Sequence, residues 1–150
     1  MAAHLTIATI EYMTALVPLV TAFHLEEGIT LSPSERITAL KPLLRGSPLG
    51  EVHLIGPANA PIGYIAISHG YSIEFGGPDA FIDEFYIRPA IRGRGMGSEV
   101  MEAIASHLQT IGTRALHLEV AATNDRAAQL YSRKGFVRRQ AYNLMTRQLD

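Results

Sequence analysis

The 150-residue chain contains no cysteine. That absence removes disulfides, thiolate metal sites and a cysteine nucleophile, and it is compatible with a reducing compartment. A basic leader followed by a long apolar run is also missing. The longest mainly apolar stretch near the N-terminus, residues 13–23, is interrupted by Pro18 and falls short of the roughly 20 residues that span a bilayer. No signal peptide or membrane segment is therefore expected, and the expected location is the cytoplasm. No dense basic run interleaved with aromatics occurs, which argues against a nucleic-acid partner. Repeats and low-complexity tracts are absent as well.

What is present is globular composition, 47% apolar and 18% charged, in a length that suits one domain over residues 1–150. The net charge of −1 hides an asymmetry: residues 1–84 carry nine acidic side chains against three basic, and residues 85–150 carry ten basic against five acidic. The second half suits a polyanionic ligand, and the first half suits a cation.

Alternation and turn signals predict a strand over residues 4–11, then an apolar helix over 13–27 that Pro18 should kink or split. Ser32, Pro33 and Glu35 form a helix start, with Ile37, Leu40, Leu43 and Leu44 on its apolar face. Residues 51–56, 62–73 and 81–87 read as a three-strand meander. A helix over 98–111 and a strand over 116–121 complete a βαβ unit. Asn124 caps a further helix over 126–134, and two last strands are expected at 136–142 and 143–149. The fold class is therefore α/β with a mixed sheet, in the order β-α-α-β-β-β-α-β-α-β-β.

Two stretches carry chemistry. Arg92-Gly93-Arg94-Gly95-Met96-Gly97 joins a strand to a helix. Its glycines allow positive φ and close backbone approach to a ligand, and the following helix, from Ser98, offers unpaired N–H groups and a positive dipole end to an anion. A tight turn alone would explain it equally well. No dinucleotide fingerprint or P-loop ending fits. The second stretch begins 27 residues after Gly97 and runs from Asn124 to Phe136. Asn124 and Tyr131 lie seven residues apart on one helix face, about 10 Å along the axis.

Arg-x-x-Gly-x-Gly at Arg92, Gly95 and Gly97, followed by Asn-x-x-Ala-x-x-x-Tyr-x-x-x-Gly-Phe at Asn124, Ala127, Tyr131, Gly135 and Phe136, resembles the GNAT superfamily of N-acetyltransferases. The resemblance is close over residues 81–136. It implies a mostly antiparallel sheet splayed between the strands at 81–87 and 116–121, with the pantetheine arm of acetyl-coenzyme A in the gap. Backbone groups of Phe85, Tyr86 and Ile87 would pair with that arm. Arg92, Gly93, Arg94, Gly95, Met96, Gly97 and Ser98 would hold the pyrophosphate, Asn124 would touch the arm, and Tyr131 would stand near the sulfur. The resemblance also admits a homodimer.

The chemistry supports these roles independently. A thiol of pKa about 8.5 and a tyrosine of about 10 make Tyr131 a protonated donor to a leaving thiolate at neutral pH; packed core tyrosine is the alternative. Asn124 fits a helix cap, a ligand contact, or both. For the amine's proton, Asp83 and Glu84 are the candidates, and strict strand alternation would put only one of them in the cleft. Their alternative role is a solvated charge or a pair with Arg88. An oxyanion donor is expected from a backbone N–H near Phe85. The histidines at 4, 24, 53, 69, 107 and 117 show no pair at ligand spacing within one element, so no metal is expected; His69 is kept as a cleft candidate, with Glu26, Glu27 and Tyr71 as weaker acceptor-site residues.

The resulting expectation is acetyl transfer from acetyl-coenzyme A to a primary amine by direct attack in a ternary complex, with a polyamine or amino sugar as acceptor. Acetylation of protein N-termini or lysines, and non-catalytic acyl-coenzyme A sensing, are the alternatives.

Overall fold

A computed structural model describes residues 3–149. Five strands, β1 (Leu5–Ile7), β2 (Gly50–Ile55), β3 (Gly63–Ser72), β4 (Gly77–Ile87) and β5 (Ala115–Leu118), form one sheet in the order β1-β2-β3-β4-β5. Every pairing is antiparallel except β4 with β5, which is parallel. The mixed α/β sheet is thus the expected one, with the βαβ unit at its β4–β5 end. No helix among the described residues is long and apolar enough to cross a membrane.

Helices α1 (Met13–Glu27) and α2 (Pro33–Leu44) cover one sheet face, and α3 (Met96–Thr110) covers the other. Leu16, Leu19, Val20, Leu40 and Leu44 pack with Val52, Leu54, Tyr64 and Tyr86 on the first face. On the second, Val100, Met101, Ile104 and Leu108 pack with Ile55, Ile65, Ile67, Ala80, Ile82 and Ile87. The apolar spacing along α1 and α3 accounts for both contacts. The start of α2 is as read from sequence, with Ser32 Oγ accepting from Glu35 N at 3.2 Å.

Two expectations fail. Pro18 neither kinks α1 into pieces nor ends it: the helix runs unbroken from Met13 to Glu27, entered by a 3-10 turn at Ile10–Tyr12. The lost bond falls within the first two turns, and the remaining ladder carries the element. The strands expected at 136–142 and 143–149 are absent among the described residues, where residues 136–149 hold only a turn. β5 ends at Leu118 and offers a template of four residues, too short for a ladder of the predicted length. The segment is instead tied by Arg139, which pairs with Glu74 at 2.9 Å and lies over the rings of Phe75 and Tyr142.

The helix after β5, α4 (Asp125–Arg133), is capped as expected, Asn124 Oδ1 accepting from Ala127 N at 3.2 Å. Its Leu130 and Tyr131 pack onto the α3-side core.

Among the glycines, the closest backbone approach lies where β3 meets β4: a methyl at Gly63 would clash with Tyr86 O and stand 3.0 Å from Ile87 Cα. Gly63→Ala is expected to destabilise the fold by about 1–3 kcal/mol as an overpacked position, read as a lower urea midpoint with an unchanged slope; an unaltered midpoint would refute the close approach.

Candidate functional site

The site is built on one irregularity in β4. Ala66 pairs with Glu84 and Ile67 with Ile82, so Asp83 has no partner on β3. An extra residue in one strand is a β-bulge, and it reverses the alternation. Ala80 and Ile82 face the α3 core, but so do Phe85 and Ile87, while Tyr86 faces the α1 core. Asp83 and Glu84 therefore share the α1 face. The expectation that adjacent strand residues point to opposite faces is wrong here because it assumes an unbroken period of two.

Glu84 is fixed from two sides. Its Oε2 lies 2.7 Å from His24 Nε2, and its Oε1 accepts from the Tyr64 hydroxyl at 2.8 Å. Behind it, Arg36 Nε donates to His24 Nδ1 at 3.1 Å, and a second Arg36 nitrogen donates to Leu31 O at 3.0 Å. Arginine has no acceptor and keeps its charge, so His24 Nδ1 must be unprotonated and Nε2 must carry the hydrogen given to Glu84. His24 and Arg36 are both buried. The chain Arg36–His24–Glu84–Tyr64 thus holds an ionised carboxylate by two donors and balances its charge through a neutral imidazole. The Arg88 partner expected for one of the acids does not occur: Arg88 Nε donates to Pro61 O at 3.4 Å.

Asp83 is held differently. It is exposed to solvent, makes no hydrogen bond or ion pair among the described residues, and its carboxyl is raised above the ordinary 3.8 by partial desolvation first, then by the charges of Glu84 and Glu119, with His24 opposing. Burial likewise raises the Tyr64 and Tyr131 hydroxyls.

Immediately past the bulge the sheet opens. β4 and β5 pair from Asp79↔Ala115 to Ile82↔Leu118 and no further. Arg88 N donates to Ile62 O at 2.8 Å, which makes Gly63–Ile87 and Ile65–Phe85 the non-hydrogen-bonded pairs of an antiparallel ladder. The backbone groups of Phe85 and Ile87 consequently face the gap, whereas those of Tyr86 face β3. Of the three residues expected to offer backbone to a ligand, Tyr86 does not. Ile87 O is also taken, accepting from Arg92 Nε at 2.7 Å.

At the mouth of the gap, Gly93 and Gly95 both have φ of +81°, a region that only glycine enters cheaply. Gly95 is the N-cap of α3 and supplies no side-chain cap, so the first N–H groups of the helix, from Met96, Gly97 and Ser98, lack helical partners. Gly97 is a separate case. It lies inside the helix, and an added methyl would make ordinary contacts with Leu130 Cδ1 at 3.5 Å and Phe85 Cζ at 4.0 Å. Arg94 is exposed. Arg92 is engaged away from the loop, one terminal nitrogen donating to both carboxylate oxygens of Glu26 at 2.8 and 3.0 Å and the guanidinium lying over the Tyr86 ring at 5.4 Å.

α4 completes the constellation. Asn124 spends its carbonyl oxygen on the cap, leaving its amide N–H groups to donate. Tyr131 is half-buried against Phe136, with ring centroids 5.8 Å apart, and its hydroxyl has no partner among the described residues. Arg126, which sequence reasoning passed over, brings its guanidinium to 3.2 Å from the position of a Gly93 side chain.

His24, Arg36 and Tyr64 were also missed. The one available signal was His24 at the spacing of the apolar stripe Leu16, Val20, a place where a polar residue needs a partner. His69 is not in the cleft: it pairs with Ala80, before the sheet opens, and its Nε2 meets Glu51 at 2.7 Å. Tyr71 is exposed beyond it. Two surface cavities, of about 480 and 550 Å³, lie away from the gap.

A family model described as the acetyltransferase (GNAT) family matches residues 21–136. Thialysine N-epsilon-acetyltransferase of Bos taurus is 31% identical over 74 residues, which is 49% of this chain and 43% of that protein, so the match spans less than half of the relative. Among solved structures, the integron cassette protein HFX_CASS3 from the mobile metagenome of Cole Harbour Salt Marsh superposes with a TM-score of 0.83 at 32% identity, covering 97% of this chain and 90% of that one. A predicted acetyltransferase with acetyl-CoA from Clostridium acetobutylicum has a TM-score of 0.77 at 16% identity over 96% of each chain, a likeness of fold. Matched over most of its length, with a sheet opening at β4–β5 and an uncapped α3 start at its mouth, the chain belongs to the GNAT acetyltransferase family.

Proposed function

We propose that this acetyltransferase transfers the acetyl group of acetyl-coenzyme A to a cationic primary amine on a small flexible molecule, in the polyamine, amino-sugar or aminoalkyl amino-acid class. The observation that carries the proposal is the pair of carboxylates that the bulge turns to one face, one locked by His24 and Tyr64 and one without a partner. Thialysine, the acceptor in the name of the bovine relative, presents an amine of this kind. The acidic first half of the chain adds long-range attraction for a cation.

In this reading the amide donors of Met96, Gly97 and Ser98, with Arg126, hold the pyrophosphate, and Phe85 and Ile87 meet the pantetheine arm with Asn124. Glu84 anchors the ammonium as a fixed charge. Asp83, whose raised pKa makes it the better proton acceptor, takes a proton from the ammonium. The freed amine attacks the thioester carbonyl, the oxyanion is met by Phe85 N–H, and collapse breaks the C–S bond. Tyr131 gives its proton to the thiolate while the amide nitrogen loses its second proton, so the sum is amide, free coenzyme A thiol and one released proton.

Thiol release over a panel of polyamines, amino sugars, lysine analogues and peptides tests the acceptor, and turnover confined to peptides would overturn it. Tyr131→Phe is expected to lower kcat about 10²-fold or more with little change in acetyl-coenzyme A binding; a loss of a few-fold would remove the acid. Gly95→Ala should weaken coenzyme A binding because its φ is left-handed, whereas Gly97→Ala should bind within a few-fold of wild type; calorimetry with coenzyme A separates the two.

Asp83→Asn should cost about 10²-fold in kcat near neutrality, with the deficit shrinking as pH approaches the amine's own pKa. Stability should move the other way. A carboxyl whose folded pKa is raised favours the protonated form, so the folded state loses stability as pH rises from the unfolded value of 3.8 through the folded one. Because Asp83 is exposed and solvent screens its charge, Asp83→Asn should melt only slightly higher than wild type at pH 7, with the difference vanishing in acid. An equal or lower melting temperature at pH 7 would contradict it.

A further inference from the structure

On the sheet face opposite the carboxylate pair, three histidines converge on one acid. His53 Nε2 and His107 Nε2 lie 2.7 and 2.9 Å from the same oxygen of Glu51, and His69 Nε2 lies 2.7 Å from the other. The groups come from three elements: Glu51 and His53 two apart on β2, His69 on β3 and His107 on α3. Spacing within a single element, the criterion that set metal aside in the sequence, cannot see such a set. We propose that Glu51, His53 and His107 form a binding site for a borderline divalent transition-metal cation of the zinc type, beside which His69 holds the second Glu51 oxygen.

Donor chemistry and geometry both fit. Two or three imidazoles with one carboxylate is a set that suits zinc, copper or nickel rather than magnesium or calcium. The ligand atoms of Glu51, His53 and His107 all lie within 4.8 Å of one another. Tetrahedral zinc with bonds of about 2.0–2.2 Å places its ligand atoms roughly 3.3 Å apart, so each hydrogen-bonded pair has to open by about half an ångström. Each imidazole then moves its proton to Nδ1 and turns the Nε2 lone pair on the ion.

The groups are preorganised and reachable. His53 is buried and packs edge-on to His107, with ring centroids 5.1 Å apart. The side chains of His69 and His107 are 25% and 30% exposed, which leaves a path for an ion. Glu51 and His69 also line the 480 Å³ cavity beside β1 and the end of α2. An ion here would join β2 and α3. The site is separate from acetyl transfer, since His69 pairs with Ala80 before β4 leaves β5. Of the other histidine–acid contacts, His24 is committed on both ring nitrogens, and His117 meets Asp79 at 3.2 Å with no second imidazole.

The test is calorimetric titration of the untagged full chain with Zn²⁺, without coenzyme A, together with Co²⁺ absorption as a report on coordination. One equivalent should bind, a tetrahedral cobalt spectrum should appear, and the melting temperature should rise with Zn²⁺ and fall back with a chelator. His107→Ala, at a half-exposed position that should fold, and Glu51→Gln should each weaken binding at least about tenfold, while His117→Gln should not. Absence of binding by wild type, equal binding by wild type and His107→Ala, or loss of binding only in His24→Gln would each overturn the proposal.

Discussion

Between Ile82 and Glu84, β4 carries one residue more than β3 can pair, and the functional half of the molecule follows from that mismatch. Upstream of it, β4 is an ordinary central strand with a neighbour on each side. Downstream, its phase is reversed and its β5 edge is bare. A bulge bends and twists the strand that bears it, and the parallel partner follows only as far as Leu118. One extra residue therefore both opens the sheet and gathers two acids at the opening.

Two ionised carboxylates side by side would repel one another, and the surroundings separate their tasks. Glu84 receives two hydrogen bonds and, through His24, the compensating charge of Arg36. Asp83 receives none and bears the cost of its neighbour's charge. In the proposed mechanism the hydrogen-bonded Glu84 is the fixed anion and the unpartnered Asp83 the proton acceptor. The arrangement depends on burial of Arg36, since a solvated guanidinium would have little reason to fix the imidazole tautomer.

Most elements were legible because their signals are local. Ser32 and Asn124 are caps, Gly95 precedes a helix with a clear apolar stripe, and alternation marks β2 and β3. The bulge was not legible: Asp83 carries neither glycine nor proline to announce it. The Arg36–His24–Glu84 chain was missed for a related reason, since its members lie 12 and 60 residues apart and meet only through tertiary packing. Residues 136–149 find no sheet edge long enough to pair with once β5 ends at Leu118, a tertiary constraint that no local signal announces. The His/Glu cluster on the α3 face was hidden by the same reliance on spacing within one element.

Arg92 shows how a motif residue can leave the task its pattern suggests. Its Nε is spent on Ile87 O, its terminal nitrogen on Glu26, and its face on Tyr86. An ion pair as exposed as Arg92–Glu26 contributes about 1 kcal/mol or less, so its main effect is geometric: it ties the end of α1 to the end of β4 across the mouth of the gap. Arg126 on α4 brings a further positive charge to the glycine turn, and Leu130 of the same helix meets the start of α3 at Gly97. The two sequence stretches are thus one packed unit. Displacing α4 would move Arg126, Asn124 and Tyr131 together, which couples the proposed hold on the anion to the placement of the proposed acid.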